Sequence, residues 1–479
     1  MKSKVVVRYN PQLDYIKDFP FDSPSLIYSE MDKVLLDLGL DKKNYGTENW
    51  NPFGILVPKK GKVVIKPNFV SIKNHHIALN RDRLNGVTTH PSILRPLIDY
   101  AFKAVGKKGK ISIVDSPIEA ADFEETVEAL NISHMVNYLK TEREYPLELI
   151  DLRDFRVVPK MFINSLNIGE RSLNIGFFKK LDLTGDPRGY TIVDLKKDSE
   201  YSLLNDEKLD RLRFYKPHFK EPTKHHDKIK NEYSIPNTVL EADFIVNVPK
   251  LKTHKKAGVT LAMKNLIGLI NRKNWLPHYT EGVAPKGDQY PKRPSFVEKF
   301  EHLLSVVPVS NKNSIIIRFP KVDHKTGAVR VPIRDGNWSG NDTLWRAILD
   351  ICRIILYADE QGVIRDTQQR KILSIVDGVV AGEGEGPIGA MPKKCGILIG
   401  SFDMVAADVI ATKIMGFDPK RLLSIQKAPE HDKYPLGTSD ISKIEVIPQK
   451  MINLNLRFKP PKGWRTYIYG ECNKLTGKR

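Results

Sequence analysis

Residues 62–114, KVVIKPNFVSIKNHHIALNRDRLNGVTTHPSILRPLIDYAFKAVGKKGKISIV, decide the fold. The apolar, β-branched run Lys62–Ile65 reads as a short strand, and Ile111–Val114 as the next. Between them Pro91–Val105 reads as a helix, capped by Thr89 or His90, with Pro91 in the first turn where a missing N–H costs nothing. Pro96 is expected to kink it. Strand, helix and strand in this order form a βαβ unit, which argues for a parallel sheet.

The same alternation resumes downstream. Phe244–Val248 reads as a buried strand, Thr343–Tyr357 as a helix, Ile372–Val376 and Gly396–Ile399 as strands, Met404–Met415 as a helix and Ile444–Ile447 as a last strand. Residues 155–197 differ. Short β-like pieces (SLNIGF, GYTIVDL) broken by Gly, Asn and Pro suggest an antiparallel insertion. Residues 219–232 are almost wholly polar and read as a surface loop. The expected fold is α/β, a mainly parallel sheet flanked by helices, with an inserted mixed or antiparallel β subdomain. The expected division is 1–60 an N-terminal extension, 61–150 the first α/β part, 151–235 the β-rich insertion, 236–450 the second α/β part with a Gly-rich acidic loop, and 451–479 a basic aromatic tail.

With 479 residues, 41% hydrophobic and 28% charged, the chain can bury a large core and is not a disordered polymer. Its formal charge of +19 points to anionic partners: a phosphorylated or carboxylated substrate, nucleic acid or anionic lipid. Cys352, Cys395 and Cys472 are far apart and form no C-x-x-C, so no disulfide framework, zinc site or iron–sulfur cluster is encoded locally. The N-terminus has no apolar segment long enough for a secretory signal, and no run approaches a membrane span. A cytoplasmic protein without a membrane partner is the expectation.

In an open parallel sheet, ligands bind beyond the carboxyl ends of the strands. Polar residues follow five predicted strands: Lys66, Pro67 and Asn68; Asp115, Ser116 and Pro117; Pro249, Lys250, Lys252, Thr253 and His254; Asp377 and Gly378; Ser401 and Asp403. Residues two apart in an extended chain point the same way, so Lys250, Lys252 and His254 can converge. From Phe244 to Thr280 there are seven Lys or Arg and no Asp or Glu. A helix is expected to follow. Val259, Met263, Leu266, Ile267 and Ile270 form its buried face, and Thr260, Lys264, Gly268 and Asn271, with Asn265 beside them, form the other. Its N-terminus would favour an anion.

Further candidates lie outside that stretch. His254, then His90, are the expected proton-transfer groups, because histidine titrates near neutral pH and neighbouring lysines should keep His254 neutral; capping or packing competes for His90. Residues 377–394, DGVVAGEGEGPIGAMPKK, form a Gly-rich acidic element without a Walker ending, read as a loop in which Gly384 and Gly386 allow close approach of a ligand. Asp115, Asp377 and Glu385 are the expected seat of a divalent cation such as Mg2+, with pairing to the lysines as the alternative for the acidic element. Asp408 sits in a helix apolar on nearly every side and needs a partner, Thr412 or a lysine; Asp403 reads as that helix's N-cap. Trp338 and Trp345 flank Asn341, Asp342 and Thr343 in a loop that ends in a helix cap or acts as an aromatic lid.

The motifs IKPN (65–68), TTHP (88–91), VDSP (114–117), VPKLKTH (248–254), TLAMKNLIG (260–268), VDGVVAGEGEGP (376–387) and DMVAADVIATKIMGFDP (403–419) resemble, in this order, a bacterial and archaeal family catalogued as domain of unknown function 362. The resemblance spans Val63 to Pro419. It implies that Lys66, Asn68, His90, Asp115, Lys250, Lys252, His254, Lys264, Asn265, Asp377 and Gly386 matter, and assigns none of them a role. Many members look like redox-associated proteins with a cysteine-rich ferredoxin-like module. This chain has no such module, so no iron–sulfur cluster is expected. Residues 153–230 and the Trp-containing loop lie outside the motifs.

The leading expectation is an enzyme of unspecified reaction acting on a small phosphate- or carboxylate-bearing metabolite. Lys66, Asn68, Lys250, Lys252, Thr253, Lys264, Asn265, Gly384 and Gly386 would line the substrate site. The alternatives are a nucleic-acid-binding protein, suggested by the charge and the basic aromatic tail, and a redox or assembly partner lacking its own iron–sulfur module.

Overall fold

In the computed structural model, the described backbone comprises residues 2–22, 24–74, 77–78, 84–168, 171–214, 224–295, 307–308, 313–318, 321–322, 329–330 and 333–470. Side chains are described for these residues outside 73–83, 162–174 and 296–332.

Eight strands form the main path of a ten-stranded central sheet. They are β1 (Ser3–Tyr9), β2 (Lys62–Lys66), β3 (Lys110–Asp115), β4 (Leu147–Asp151), β9 (Phe244–Asn247), β13 (Lys371–Glu385), β14 (Gly389–Ser401) and β15 (Ile444–Ile447), in the spatial order β15-β1-β14-β13-β9-β2-β3-β4. All run parallel except β14, which is antiparallel to both neighbours. The protein is thus an α/β fold on a mainly parallel sheet. Two short strands, β10 (Lys250–His254) and β11 (Gly258–Thr260), extend the sheet beyond the end of β9, with β10 running beside β13.

The alternation of side chains explains the layering. Val63, Ile65, Phe244, Val246, Leu373 and Ile375 pack on one face with α1 (Leu26–Asp37), α2 (Pro91–Val105), α3 (Phe123–Ala129) and α4 (Ile132–Thr141). Their neighbours Val64, Ile245, Ile372 and Val376 pack on the other with α5 (Ala262–Asn265), α6 (Leu344–Tyr357) and α7 (Met404–Ile414). Both faces being covered, these strands carry continuous apolar runs. Helix α2 runs unbroken through Pro96, and His90 caps it, its Nδ1 accepting from the Ser92 N–H at 3.2 Å.

Two long strands pair antiparallel, β5 (Phe155–Ile168) with β6 (Arg171–Asp182). The second edge of β6 pairs with β12 (Asn313–Arg318), so this small sheet is assembled from two distant stretches. A further pair joins β7 (Tyr190–Asp194) to β8 (Glu232–Pro236).

Several local expectations change. Residues 377–394 are not a loop: they form most of the β13/β14 hairpin, where cross-strand hydrogen bonds replace the β-propensity the glycines lack. The long helix over 259–270 is instead β11, the single turn α5 and a 3₁₀ turn, Leu266–Leu269. Of the polar segment 219–232, residues 219–223 lie outside the described residues; His225, His226 and Asn231 are buried, with the His226 Nε2 bonded to the Trp275 carbonyl at 2.8 Å. The first 60 residues supply strand β1 to the sheet, between the edge strand β15 and β14. Of the C-terminal segment, Phe458, Trp464 and Ile468 are buried, and residues 471–479, with Cys472, lie outside the described residues. Among the described residues no helix is long and apolar enough to cross a membrane.

Candidate functional site

Strands β2, β3 and β9 end side by side, delivering Lys66, Asp115 and Asn247 to one edge of the sheet. Lys66 and Asp115 form a buried ion pair at 2.8 Å, and the second Asp115 oxygen accepts from the Phe69 N–H at 2.8 Å. Gly268 lies on this pair, close enough that a Cβ there would sit 2.4–2.5 Å from the Lys66 Cε and Nζ and the Asp115 Oδ1. An asparagine chain braces the edge. Asn68 Nδ2 donates to Asn265 Oδ1 at 2.9 Å, and Asn265 Nδ2 donates to Asn247 Oδ1 at 2.8 Å and to the Lys66 carbonyl at 3.1 Å. Two buried acceptors here, Asn68 Oδ1 and Ser116 Oγ, have no hydrogen-bond partner among the described residues.

After β9 the chain jogs at Val248–Pro249 and re-enters the sheet as β10, placing Lys250 opposite Asp377 and Lys252 opposite Gly382. Lys250 is consumed by structure. Its amine pairs with Asp377 at 2.9 Å and donates to the Tyr15 hydroxyl at 2.5 Å, and Tyr15 donates to the other Asp377 oxygen at 2.7 Å. The His90 N–H also donates to Asp377, and its ring stacks on Tyr15 at 4.0 Å. His90 is therefore a capping and packing residue, the competing reading of it.

Lys252 is different. It is wholly buried, its amine donates to the Val87 carbonyl at 2.5 Å, and no carboxylate pairs with it among the described residues. Burial, then the charges of Lys264 and Lys250, push its pKa well below the usual lysine range; Asp115 and Lys66 also act on it. Lys264 is half-buried and has no hydrogen-bond or ion-pair partner among the described residues; burial and then Lys66 and Lys256 bring it down to about 8. Lys273, also half-buried, donates to the Ile267 carbonyl at 2.6 Å; burial brings it to about 7, against the pull of Asp115 and with the help of Lys66 and Lys264. Lys256, held to the Asp335 carbonyl, is lowered to about 8 by burial. These amines influence one another, so they surround one region, and Asp115 is the carboxylate at its centre.

His254 borders this region. Its Nδ1 accepts from the Lys256 and Ala257 N–H groups at 3.1 and 3.2 Å, closing the β10/β11 turn. Burial first, and then Lys264, Lys252, Lys256 and Lys255, hold it well below its ordinary pKa. The imidazole is neutral, but its basic nitrogen is occupied by backbone, which leaves Nε2–H as a donor. That arrangement does not suit the proton-abstracting role expected of it.

The expected metal carboxylates do not assemble. Asp115 faces Lys66, Asp377 faces Lys250, and Glu385 accepts from the Lys462 N–H. Among the described residues no three His, Cys, Asp or Glu side chains gather in a way that could hold a metal ion. Pairing with lysine, the alternative reading of the acidic element, describes Asp377.

Gly384, Gly386 and Thr253 also serve the backbone. Thr253 Oγ1 donates to the Gly384 carbonyl at 2.8 Å, and a Cβ on Gly386 would lie 1.9 Å from the Thr253 carbonyl oxygen. The C-terminal segment crosses the hairpin tip: the Gly384 N–H donates to the Lys459 carbonyl, and Trp464 Nε1 donates to the Lys255 carbonyl at 2.7 Å. The Trp338 loop rests on the same segment, through the Ser339 N–H to the Gly463 carbonyl, and Trp345 is buried. A shallow recess beside Lys256 is lined by Ser339, Asn341, Trp345, Ser424 and Trp464, among others.

The fifth strand end does not join the site. Strand β14 runs away from this edge; Asp403 caps α7 and accepts from the Ser3 hydroxyl at 2.6 Å. Among the described residues, Asp408 is satisfied neither by Thr412 nor by a lysine. Its two oxygens accept from the Ala262 and Met263 N–H groups at 2.7 and 3.1 Å, tying α7 to the start of α5, and burial raises its pKa to about 8.

The structure therefore brings together Lys66, Asn68, Asp115, Lys252, His254, Lys264 and Asn265 and adds Lys256, Lys273 and Gly268. Lys256 and Lys273 belong to the carboxylate-free stretch 244–280, which was the signal for them. Tyr15 left no such signal, because its partners are 235 and 362 residues away.

The fold and edge define an α/β protein with a lysine-rich pocket beyond the parallel strands. Residues 63–178 and 197–413 match the family described as "Domain of unknown function (DUF362)", and the chain belongs to that family. The matched region takes in most of the β5/β6 pair. The chain is also similar to the "Thylakoid-associated protein sll1697" of Synechocystis sp. (strain ATCC 27184 / PCC 6803 / Kazusa), 23% identical over 189 residues, which are 40% of this chain and 37% of that protein. The chain thus spans well under half of that relative's length. No solved structure matches.

Proposed function

We propose that the chain is an enzyme that binds a small phosphate- or carboxylate-bearing metabolite among Lys66, Lys252, Lys264 and Lys273. The carrying observation is an excess of converging amines over carboxylates: four lysines against Asp115, with Lys264 unpartnered and Lys252 buried without an ion pair among the described residues. Like charges held together in a poorly solvated place are costly. An anion seated among them relieves that cost and gains charge-assisted hydrogen bonds. The Asn68 side-chain carbonyl and the Ser116 hydroxyl, both unpartnered among the described residues, would add polar contacts, and the His254 Nε2–H another. In a reaction, the same amines would stabilise negative charge as it develops. Two buried free thiols, Cys352 and Cys395, suit a cytoplasmic setting.

The test is a thermal-shift screen of phosphorylated and carboxylated metabolites, with inorganic phosphate included, on the wild type and on Lys252→Ala. A ligand that binds the folded state raises the melting point by mass action. The reading expects at least one anion to raise it in the wild type and to fail in the variant. Equal shifts in both proteins, or none in either, would remove its support. A nucleic-acid reading is less favoured because Phe458 and Trp464 of the basic tail are packed inside the protein instead of being presented for stacking.

A further inference from the structure

Four buried clusters outside the lysine pocket are accounted for by structure. Lys250, Asp377 and Tyr15 neutralise one another. Asp350 is held by Ser199 and Tyr233 beside Arg353. Asp288 accepts from Thr280, Asp342 and Thr343. Asp186 accepts from Thr238. What remains unexplained is an amine with nothing to do: Lys264, on the one-turn helix α5, only partly exposed, with no acceptor among the described residues.

We propose that Lys264 is a nucleophile that forms an imine with a carbonyl-bearing anion. The inference rests on the anion-site reading above and narrows its substrate class to a small aldehyde or ketone that also carries phosphate or carboxylate. Three observations converge on this amine. Its main chain is fixed, because the N–H groups of Ala262 and Met263, at the start of the same turn, are clamped by Asp408 at 2.7 and 3.1 Å. It is surrounded by cations that could hold an anionic tail: Lys66 and Lys256 act on it, and it is in turn the strongest charge acting on Lys252 and His254. Lysines become nucleophilic in this way, by poor solvation and by a neighbouring cation that favours the free amine. The other amines are engaged, Lys66 with Asp115, Lys252 with the Val87 carbonyl and Lys273 with the Ile267 carbonyl.

The step balances without an oxidant or reductant. The neutral Lys264 nitrogen attacks the carbonyl carbon, and a proton passes from nitrogen to the former carbonyl oxygen to give a carbinolamine. Loss of water, carrying that oxygen and the second amine proton, leaves the imine. The lysines that hold the anionic group keep the carbonyl carbon within reach.

Pyridoxal 5′-phosphate, which carries both an aldehyde and a phosphate, is the probe. The full-length protein is incubated with it at pH 8, reduced with sodium borohydride, which turns an imine into a stable secondary amine, and mapped by peptide mass spectrometry. With a pKa of about 8, half of Lys264 is neutral at that pH, against well under 1% for a lysine at 10.5. The expected result is Lys264 labelled at least ~tenfold more than exposed lysines, with inorganic phosphate suppressing that label. Lys264→Arg keeps the charge, and it should lose the adduct while its melting point still rises with phosphate. Three results would overturn the proposal: phosphate raises the melting point but Lys264 stays unlabelled; the adduct maps to Lys252 or Lys273; or Lys264 is labelled no faster than surface lysines. In each of these the anion site itself survives as long as phosphate still raises the melting point. If phosphate neither raises the melting point nor protects Lys264, the anion site fails, and the imine proposal with it.

Discussion

Replacing Lys264 by Met should stabilise the protein at neutral pH and remove part of its alkaline stabilisation. In the folded protein the Lys264 amine is brought from 10.5 down to about 8, mainly by burial and then by Lys66 and Lys256. The charged form is the disfavoured one, so the unfolded chain binds the proton more tightly than the folded chain. Stability is therefore lowered in full below pH 8, and it recovers as pH rises from 8 to 10.5. At ~1.4 kcal/mol per tenfold change in proton affinity, the ceiling is ~3 kcal/mol. Because the residue is partly exposed, screening reduces this to ~1–2 kcal/mol. Methionine has a similar length and adds no charge, and no hydrogen bond of Lys264 is lost. Urea unfolding of wild type and variant at pH 7, 8, 9 and 10 should show the variant more stable by ~1–2 kcal/mol at pH 7, with the difference shrinking steadily toward pH 10. A variant no more stable at pH 7, with a difference independent of pH, would refute the reasoning that these amines burden one another.

Three further outcomes are expected. Asp377→Asn leaves Lys250 buried beside a neutral amide and should cost ~3–5 kcal/mol in denaturant unfolding, eased if the Tyr15 hydroxyl takes over part of the pairing; a loss under ~1 kcal/mol would mean the pair is not desolvated. Gly268→Ala places a methyl group against Lys66 and Asp115 and should abolish the phosphate-induced rise in melting point while costing only ~1–3 kcal/mol of stability; a full phosphate response would show that the pair does not border the anion site. Phosphate binding at pH 8 should draw protons onto Lys264 and Lys273, whose pKa values of about 8 and about 7 an anion would raise, so calorimetry in buffers of different ionisation enthalpy should report proton uptake; at pH 6, where both are already largely protonated, their uptake should shrink, and equal uptake at both pH values would contradict the assignment.

The parallel core was readable because its strands are apolar on both faces. Val63 through Ile65 and Phe244 through Val246 announce buried strands without help from tertiary structure. The hairpin over 377–394 was not readable, since Gly378, Gly382, Gly384 and Gly386 favour loops locally and pairing with residues 389–401 overrides them. The helical spacing of Val259, Met263 and Leu266 was real, but Gly258 and pairing to His254 make the first residues a strand and leave only one turn of helix. For the site, strand ends located Lys66, Asp115 and Lys252, while composition alone could not separate the unpaired lysines from Lys250, which is neutralised by a residue 127 positions away. His254 shows the same limit: its basic surroundings were evident, but not the turn that occupies its Nδ1.

Crystals soaked in tungstate, a tetrahedral anion with a strong anomalous signal, test the central claim most directly. The account predicts the strongest peak at the edge beyond β2, β3 and β9, within hydrogen-bonding distance of Lys264 and at least one of Lys66, Lys252 and Lys273. Peaks confined to surface lysines, with that edge empty at saturating tungstate, would contradict it.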